Sequence, residues 1–396
     1  MTSELAVARL HPLHRAWRIL PQEARRAMLL QGSAWLAPRP DRPAPPARAG
    51  IAVAGELDRA SGLGEAARLT LHALQRLGVP AWAARPGEPA PPPGAPLLLH
   101  VNAPALPLEL IRLGRGMVRG RLVVGWWPWE LPVVPESWRA GLRFVHEVWA
   151  PSRFSAAALS AIAPNVRVVP YPAAAQPPTP SPWSRAELGL PDEAVVTLVS
   201  FNLASSFERK NPLGAIAAHR AAFGDRTDRI LLLRVANPHH FPADFARLQE
   251  AADLPNIRID TRTLPRDDAH ALMAASDIVL SLHRSEGFGL VPAEAMLLGK
   301  PVVATDWSGT RDFMDDASAA LVPARLIPAR DPRGVFEAPG AVWADPDGDA
   351  AASWLVRLAD DPALRSRLGS AGREMAQARL GPEALAEAVR AFGLDV

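Results

Sequence analysis

Along the chain, short apolar runs of four to eight residues alternate with longer segments in which apolar positions recur at helical spacing. Residues 50–54 form the first such run, and 64–77 the first amphipathic segment, closed by Gly78. The alternation continues through 97–101, 106–113, 122–126, 136–144, 145–150, 152–162 and 166–169. It resumes at 195–201, 212–222, 230–235, 241–252, 257–260, 267–275, 278–282 and 302–305. Strands alternating with helices predict an α/β fold with largely parallel sheets covered by helices on both faces. The proline-rich stretch 170–182 divides the pattern into two Rossmann-like halves, residues 50–180 and 181–375. A second proline-rich stretch, 38–46, reads as an extended linker after an extension at 1–49. Residues 323–340 read as an irregular loop excursion, and 349–358 and 362–392 as helical.

Composition narrows the function classes. A chain of 396 residues is long enough for two cores. The absence of cysteine excludes disulfides, a thiol nucleophile and thiolate metal sites. A formal net charge of +2 argues against a nucleic-acid partner, despite the isoelectric point near 9.6. No run approaches the roughly 18 apolar residues of a membrane span, and the N-terminus lacks the apolar core of a signal peptide, so a cytoplasmic location is expected. Within the extension, Arg9, His11, His14, Arg15, Arg18, Arg25 and Arg26 interleave with Leu10, Leu13, Trp17, Ile19, Leu20, Met28 and Leu29. Residues 1–40 therefore suit either a basic amphipathic contact with an anionic membrane or an extension packed against the body.

The chemistry concentrates at the predicted strand ends. Between the runs 278–282 and 302–305, Pro292 suits a helix start and Gly299 a helix end, which places Glu286 in a loop and Glu294 in the helix's first turn. Both face the crevice where open α/β sheets bind ligands, although Glu294 could equally complement the helix dipole. Gly287 and Gly289 permit close backbone approach to a ligand. After the first strand of the second half, Arg209 and Lys210 precede a helix capped by Asn211 with Pro212 in its first turn, a location suited to a diphosphate. Lys210 is one of only two lysines, whereas adjacent surface cations are usually just solvated.

Other motifs leave alternatives open. Gly62-Leu-Gly64-Glu-Ala-Ala67 matches a dinucleotide fingerprint and supports an NAD(P)-dependent oxidoreductase. Against that reading, the glycines lie several residues past the strand, and Ala84 and Arg85 stand where an acidic ribose partner belongs. The same loop can hold any phosphate at a helix N-terminus. In Trp126-Trp-Pro-Trp-Glu130, Trp129 and Glu130 suit a sugar ring or acceptor, or simply core packing. His100, Asn102 and His283 lie near strand ends, where a satisfied structural histidine is the plainer reading and His283 could reach a donor sugar. Asp345-Pro-Asp347-Gly-Asp349 begins like a calcium loop, but Val356 stands where the bidentate glutamate belongs. A turn ending with Asp349 as a helix cap explains it better, and no metal is expected.

The pattern Glu286-Gly-Phe-Gly, then Glu294-Ala-Met and Gly299-Lys-Pro-Val-Val-Ala-Thr305, resembles the donor-binding signature of the retaining family-4 glycosyltransferases. The resemblance is strong over residues 195–310 and weaker over 50–170. It implies the two-domain GT-B fold, with the last helix, within 376–396, crossing back to the first domain. It implies hexose transfer from a nucleoside-diphosphate sugar to a glycan, lipid-linked or small-molecule acceptor, in polysaccharide or glycoconjugate biosynthesis, with neither cofactor nor metal. Arg209 and Lys210 correspond to the diphosphate-binding pair. Glu286 and the backbone around Gly287, Phe288, Gly289 and Leu290 would hold the hexose, Glu294 the ribose, and Gly62 and Gly64 the donor phosphates from across the cleft. Trp129 and Glu130 replace the commoner histidine motif, so a histidine's role does not transfer. A non-catalytic sugar-nucleotide-binding protein on the same scaffold is the remaining alternative.

Overall fold

The computed structural model describes Met28 and residues 32–396. The basic segment around 9–26 lies outside the described residues. The first sheet comprises β1 (Ile51–Gly55), β2 (Ala81–Ala83), β3 (Leu97–His100), β4 (Val123–Trp126), β5 (Glu147–Ala150) and β6 (Val166–Val168). Its strands are parallel in the order β2-β1-β3-β4-β5-β6. The second comprises β7 (Val195–Asn202), β8 (Arg229–Ala236), β9 (Ile257–Asp260), β10 (Ile278–Ser281), β11 (Val302–Thr305) and β12 (Ala320–Val322), parallel in the order β12-β11-β10-β7-β8-β9. Counting from β7, that is the doubly wound Rossmann order, and the direction of winding reverses between β7 and β10. The apolar runs are nearly unbroken because helices cover both faces of each sheet.

The helices are α1 (Gly62–Arg76), α2 (Leu106–Leu113), α3 (Arg153–Leu159), α4 (Phe207–Lys210), α5 (Pro212–Phe223), α6 (Pro242–Ala251), α7 (Arg266–Ala275), α8 (Leu290–Leu297), α9 (Gly348–Asp360), α10 (Pro362–Arg379) and α11 (Glu383–Arg390). One buried cluster runs from the first sheet through Trp126, Tyr171 and Phe288 into α8, and Leu385 and Val389 of α11 join it. The Phe392 ring stacks on Trp149 at 5.6 Å, so the end of the chain packs against the first sheet.

Four local expectations are corrected. The 323–340 excursion is irregular only over its tip: Ala324–Pro328 forms β13, which pairs antiparallel with β14 (Val342–Pro346), and 329–341 is the irregular tip between them. Prolines at the strand margins hid the alternation, because they carry no N–H for a ladder. Helix α8 starts at Leu290, two residues before Pro292, because Gly289 caps it in the left-handed region at φ 99°. Proline is tolerated there since first-turn N–H groups lack intrahelical partners, and Glu294 consequently lies in the second turn. Asp347, not Asp349, caps α9, accepting from the Asp349 and Ala350 amides at 3.0 Å. The 362–392 segment is two helices, broken around Gly381-Pro382.

The proline-rich linker is docked on the first domain. Arg42 donates to the Val145 carbonyl (2.6 Å), and His146 Nε2 contacts the Asp41 carbonyl (2.8 Å).

Candidate active site

The winding reversal of the second sheet brings the loops after β7 and β10 together, and each carries charged residues. After β7 the chain turns through Ser206 (φ 81°) and Asn211 (φ 52°), with the single-turn helix α4 between them. Asparagine tolerates this left-handed region. Asn211 Oδ1 accepts from the Gly214 amide, and Nδ2 donates to the Leu282 carbonyl at 2.9 Å, fastening the turn to the end of β10. Arg209 and Lys210 thus meet Glu286. Lys210 Nζ lies 2.5 Å and Arg209 Nη1 3.3 Å from Glu286 Oε1. Arg209 is only 3% exposed and donates to the Ser285 and Ser205 carbonyls at 2.8 and 3.0 Å. Glu130 approaches the same guanidinium from the first domain at 3.8 Å.

These environments move the protons. Burial pushes the Glu286 carboxyl up, but Lys210 and Arg209 outweigh it and hold the group at about 2. Burial pushes Lys210 down against the pull of Glu286. Glu130 goes the other way, raised by burial that the charge of Arg209 only partly offsets.

The 286–289 loop is seated between domains. The Gly287 carbonyl accepts from Ser152 Oγ (2.6 Å) and Ser155 Oγ (3.2 Å) of the first domain, and a Cβ on Gly287 would sit 3.2 Å from the Trp129 backbone. The Glu286 amide donates to Ser308 Oγ at 2.9 Å. Phe288 is buried against Tyr171 and Phe313, with ring centroids 4.9 and 5.4 Å apart. Gly62 and Gly64 lie in the first turn of α1, capped by Ser61, and not in a loop before it; a Cβ on Gly62 would lie 3.8 Å from Leu290, so the start of α1 faces the start of α8 across the cleft. At Gly64 a Cβ would meet the Glu56 carbonyl oxygen at 2.3 Å. Glu294 stands apart from the Arg209 cluster's contacts and pairs with buried His270, Nε2 to Oε1 3.5 Å.

The remaining predicted residues divide. Glu130 joins the charge cluster, whereas Trp129 is committed to packing: its indole donates to the Val133 carbonyl at 2.9 Å, and its ring stacks on Phe336 at 5.6 Å. His283 is buried and satisfied, with Nδ1 3.0 Å from Ser281 Oγ and Nε2 3.3 Å from the Trp307 carbonyl. Burial lowers its pKa to about 4. His100 departs from the satisfied reading. It is fully buried, stacked on Trp126 at 4.7 Å, has no partner at either ring nitrogen, and is lowered to about 3 by burial. Asn102 precedes a 3₁₀ turn, with its Oδ1 buried and unpartnered. The aspartates of 345–349 are separately engaged, Asp345 with Arg325 (2.9 Å) and Asp347 with its helix. No group of three or more His, Cys, Asp or Glu is placed to hold a metal ion among the described residues. Ser152, Ser155, Ser308, Asp331 and Phe336 carry no signal in the sequence, because their site contacts are long-range.

The comparisons with known proteins agree with this geometry. Residues 222–345 match the family described as glycosyl transferases group 1. The resemblance carried by residues 286–305 is borne out. Among curated proteins, the D-inositol 3-phosphate glycosyltransferase of Nocardioides sp. (strain ATCC BAA-499 / JS614) is 27% identical over 205 residues, covering 49% of this chain and 40% of that protein. The enzyme of that name from Saccharomonospora viridis is 30% identical over 198 residues, covering 49% and 41%. These alignments therefore span about two fifths of the relatives' length. Among solved structures, Anabaena HepE in complex with UDP and glucose superposes with a TM-score of 0.59 at 15% identity, covering 87% of this chain and 100% of that one. Sucrose-phosphate synthase from Thermosynechococcus elongatus gives 0.61 at 19%, covering 87% and 98%. WaaG, a glycosyltransferase of lipopolysaccharide biosynthesis, gives 0.56 at 16%, covering 86% and 99%. The two-domain GT-B fold stands on these superpositions and on the two parallel sheets.

Proposed function

We propose that this protein is a retaining glycosyltransferase, moving a hexose from a nucleoside-diphosphate sugar to an acceptor hydroxyl in polysaccharide or glycoconjugate biosynthesis. The observation that carries the reading is the convergence of Arg209 and Lys210 with Glu286 where the second sheet reverses its winding. The bond between the anomeric carbon and the diphosphate oxygen breaks, and negative charge grows on that oxygen. Two preorganised, largely desolvated cations are placed to stabilise it, which is the role a divalent metal would otherwise fill. The acceptor oxygen bonds to the anomeric carbon on the face the diphosphate leaves, and its proton passes to the departing phosphate. The products are the glycosylated acceptor and the nucleoside diphosphate, and no cofactor is consumed.

Glu286 accepts hydrogen bonds from hexose hydroxyls beside the Phe288 and Gly289 amides, and Glu294 takes the ribose. Glu130 and Asn102 border the acceptor side. The UDP and glucose held by the HepE neighbour, and the inositol phosphate in the curated relatives' names, support a nucleotide-sugar donor and a hydroxyl acceptor. The interleaved basic and apolar residues of 1–40 support a peripheral membrane contact at the cytoplasmic face, with an extension packed against the body as the alternative; sedimentation with anionic liposomes that is equal with and without residues 1–40 sinks the contact. No helix among the described residues is long and apolar enough to cross a membrane.

Thermal shift with UDP-, GDP- and ADP-sugars tests the donor. A ligand at a hundred times its Kd adds about 2.7 kcal/mol of stability, so one nucleotide class should raise Tm clearly. No shift with any of them sinks the reading. With a donor found, the product's anomeric proton coupling reports retention. Turnover should persist in excess EDTA, and collapse on chelation with recovery on Mg²⁺ would overturn metal independence.

A further inference from the structure

The hairpin tip at residues 329–341 touches both domains and the arginine between them. On the second domain, Asp331 is 1% exposed and accepts from the Val335 and Phe336 amides (3.1 and 3.2 Å) and from Ser206 Oγ (3.3 Å). Ser206 Oγ in turn accepts from the Arg209 amide at 3.3 Å. Arg333 secures the same tip, donating to the Leu203 carbonyl and pairing with Asp244. Its guanidinium lies 3.8 Å from the Phe241 ring centroid. From this base Phe336 reaches the first domain, where it stacks on Trp129 and is buried in the cluster that also holds Trp127 and Trp138. Arg209 Cζ lies 5.0 Å from the centroid of the same Phe336 ring.

The tip therefore supplies Arg209 with two supports. One runs from Asp331 through Ser206 to the Arg209 backbone. The other is the Phe336 face under its guanidinium. Arginine has many rotamers, and a planar guanidinium is well held by an aromatic face it can stack on. The remaining close partners of the side chain are two carbonyls and carboxylates of which Glu286 is shared with Lys210.

We propose that residues 329–341 are a strap that holds Arg209 for the departing diphosphate, with Asp331 and Phe336 as positioning residues. Because Phe336 seats on Trp129, Arg209 is fully held only when the two domains meet. This rests on the donor reading above, in which Arg209 faces the diphosphate.

The test is the preference for a nucleoside diphosphate over the corresponding monophosphate, which lacks the group that Arg209 holds. UDP with UMP, GDP with GMP, and ADP with AMP are titrated calorimetrically into the wild-type chain and into Phe336→Ala, Phe336→Leu, Phe336→Tyr and Asp331→Asn. Phe336→Ala should cut the diphosphate preference about 3- to 30-fold, the span of a partly to fully desolvated cation–π contact. Phe336→Tyr should keep the preference and Phe336→Leu should not restore it. Full preference in Phe336→Leu, or in Phe336→Ala, overturns the strap. Amide exchange supplies a readout that needs no nucleotide: it should rise across residues 203–211 in Phe336→Ala and Asp331→Asn and stay unchanged in β8. If the wild-type chain binds no nucleotide, the donor reading fails while exchange still decides the strap, and unchanged exchange across 203–211 in both variants overturns it.

Discussion

Glu130 and Glu286 approach one guanidinium, at 3.8 and 3.3 Å, yet their protons are held in opposite senses. Glu286 has two cations and a hydrogen bond from Lys210, which together exceed the cost of burial. Glu130 has burial as its largest influence and feels Glu286 as a like charge. The signs give opposite pH dependences. A raised carboxyl stabilises the fold below its ordinary pKa and loses that contribution as pH rises through the raised value. Glu130→Gln should therefore raise Tm near pH 7, the gain shrinking as the pH falls toward the ordinary glutamate range. A lowered carboxyl contributes above its ordinary value and loses that contribution as pH falls toward about 2, so Glu286→Gln should lower Tm near neutrality, the deficit fading in acid. Tm against pH for both variants checks the pair; parallel curves would refute it. Arg209→Ala or Lys210→Ala should cost turnover about 10²- to 10³-fold, the scale for one lost preorganised donor. Glu294→Gln should weaken free nucleoside diphosphate and intact donor alike, while Glu286→Gln should spare the free diphosphate. Calorimetry with both ligands separates the two.

Among the elements, those set by local pattern were legible and those set by distant partners were not. Strands β7 and β10 announce themselves as apolar runs, and so Arg209, Lys210 and Glu286 could be placed at strand ends before any contact was known. The start of α8 is not legible locally, because Pro292 is a strong signal for a helix start while the capping conformation of Gly289 depends on what surrounds it. A Cβ at Gly289 would lie 2.5 Å from Thr310 Cγ2, and its φ of 99° is one that side chains other than glycine rarely adopt. Gly289→Ala should accordingly destabilise by about 1–3 kcal/mol from backbone strain alone, read as a lower denaturant midpoint at unchanged slope. An unchanged midpoint would show that the loop relaxes freely. Hairpin β13–β14 stayed hidden because its prolines mimic a loop, and its tip contacts side chains more than a hundred positions away, such as Ser206 at a separation of 125.

For the whole molecule, the question is what keeps the two sheets facing each other, and magnitudes decide it. Arg153 and Asp312 bridge the domains at 3.2 Å, but the arginine side chain is 73% exposed, and such pairs contribute about 0–1 kcal/mol. The Gly287 carbonyl is instead buried under two serine hydroxyls, with Ser155 also donating to the Trp129 carbonyl at 2.7 Å. Each neutral hydrogen bond contributes about 0.5–1.5 kcal/mol, and a buried carbonyl left without a donor costs about 1–3 kcal/mol. Removing both hydroxyls in Ser152→Ala/Ser155→Ala should therefore loosen the cleft more than Arg153→Ala does, against the apolar contacts of Tyr171 with Phe288 and of Trp129 with Phe336 that also join the domains. Opening would appear in small-angle scattering as a larger radius of gyration, and in amide exchange as faster labelling of residues 286–289. Water would enter the site and the two halves of the donor site would meet less often, so turnover should fall with the serine variant while its affinity for the free nucleoside diphosphate persists. If the arginine variant opens the molecule and the double serine variant does not, the surface ion pair holds the domains and the buried serines only fill space.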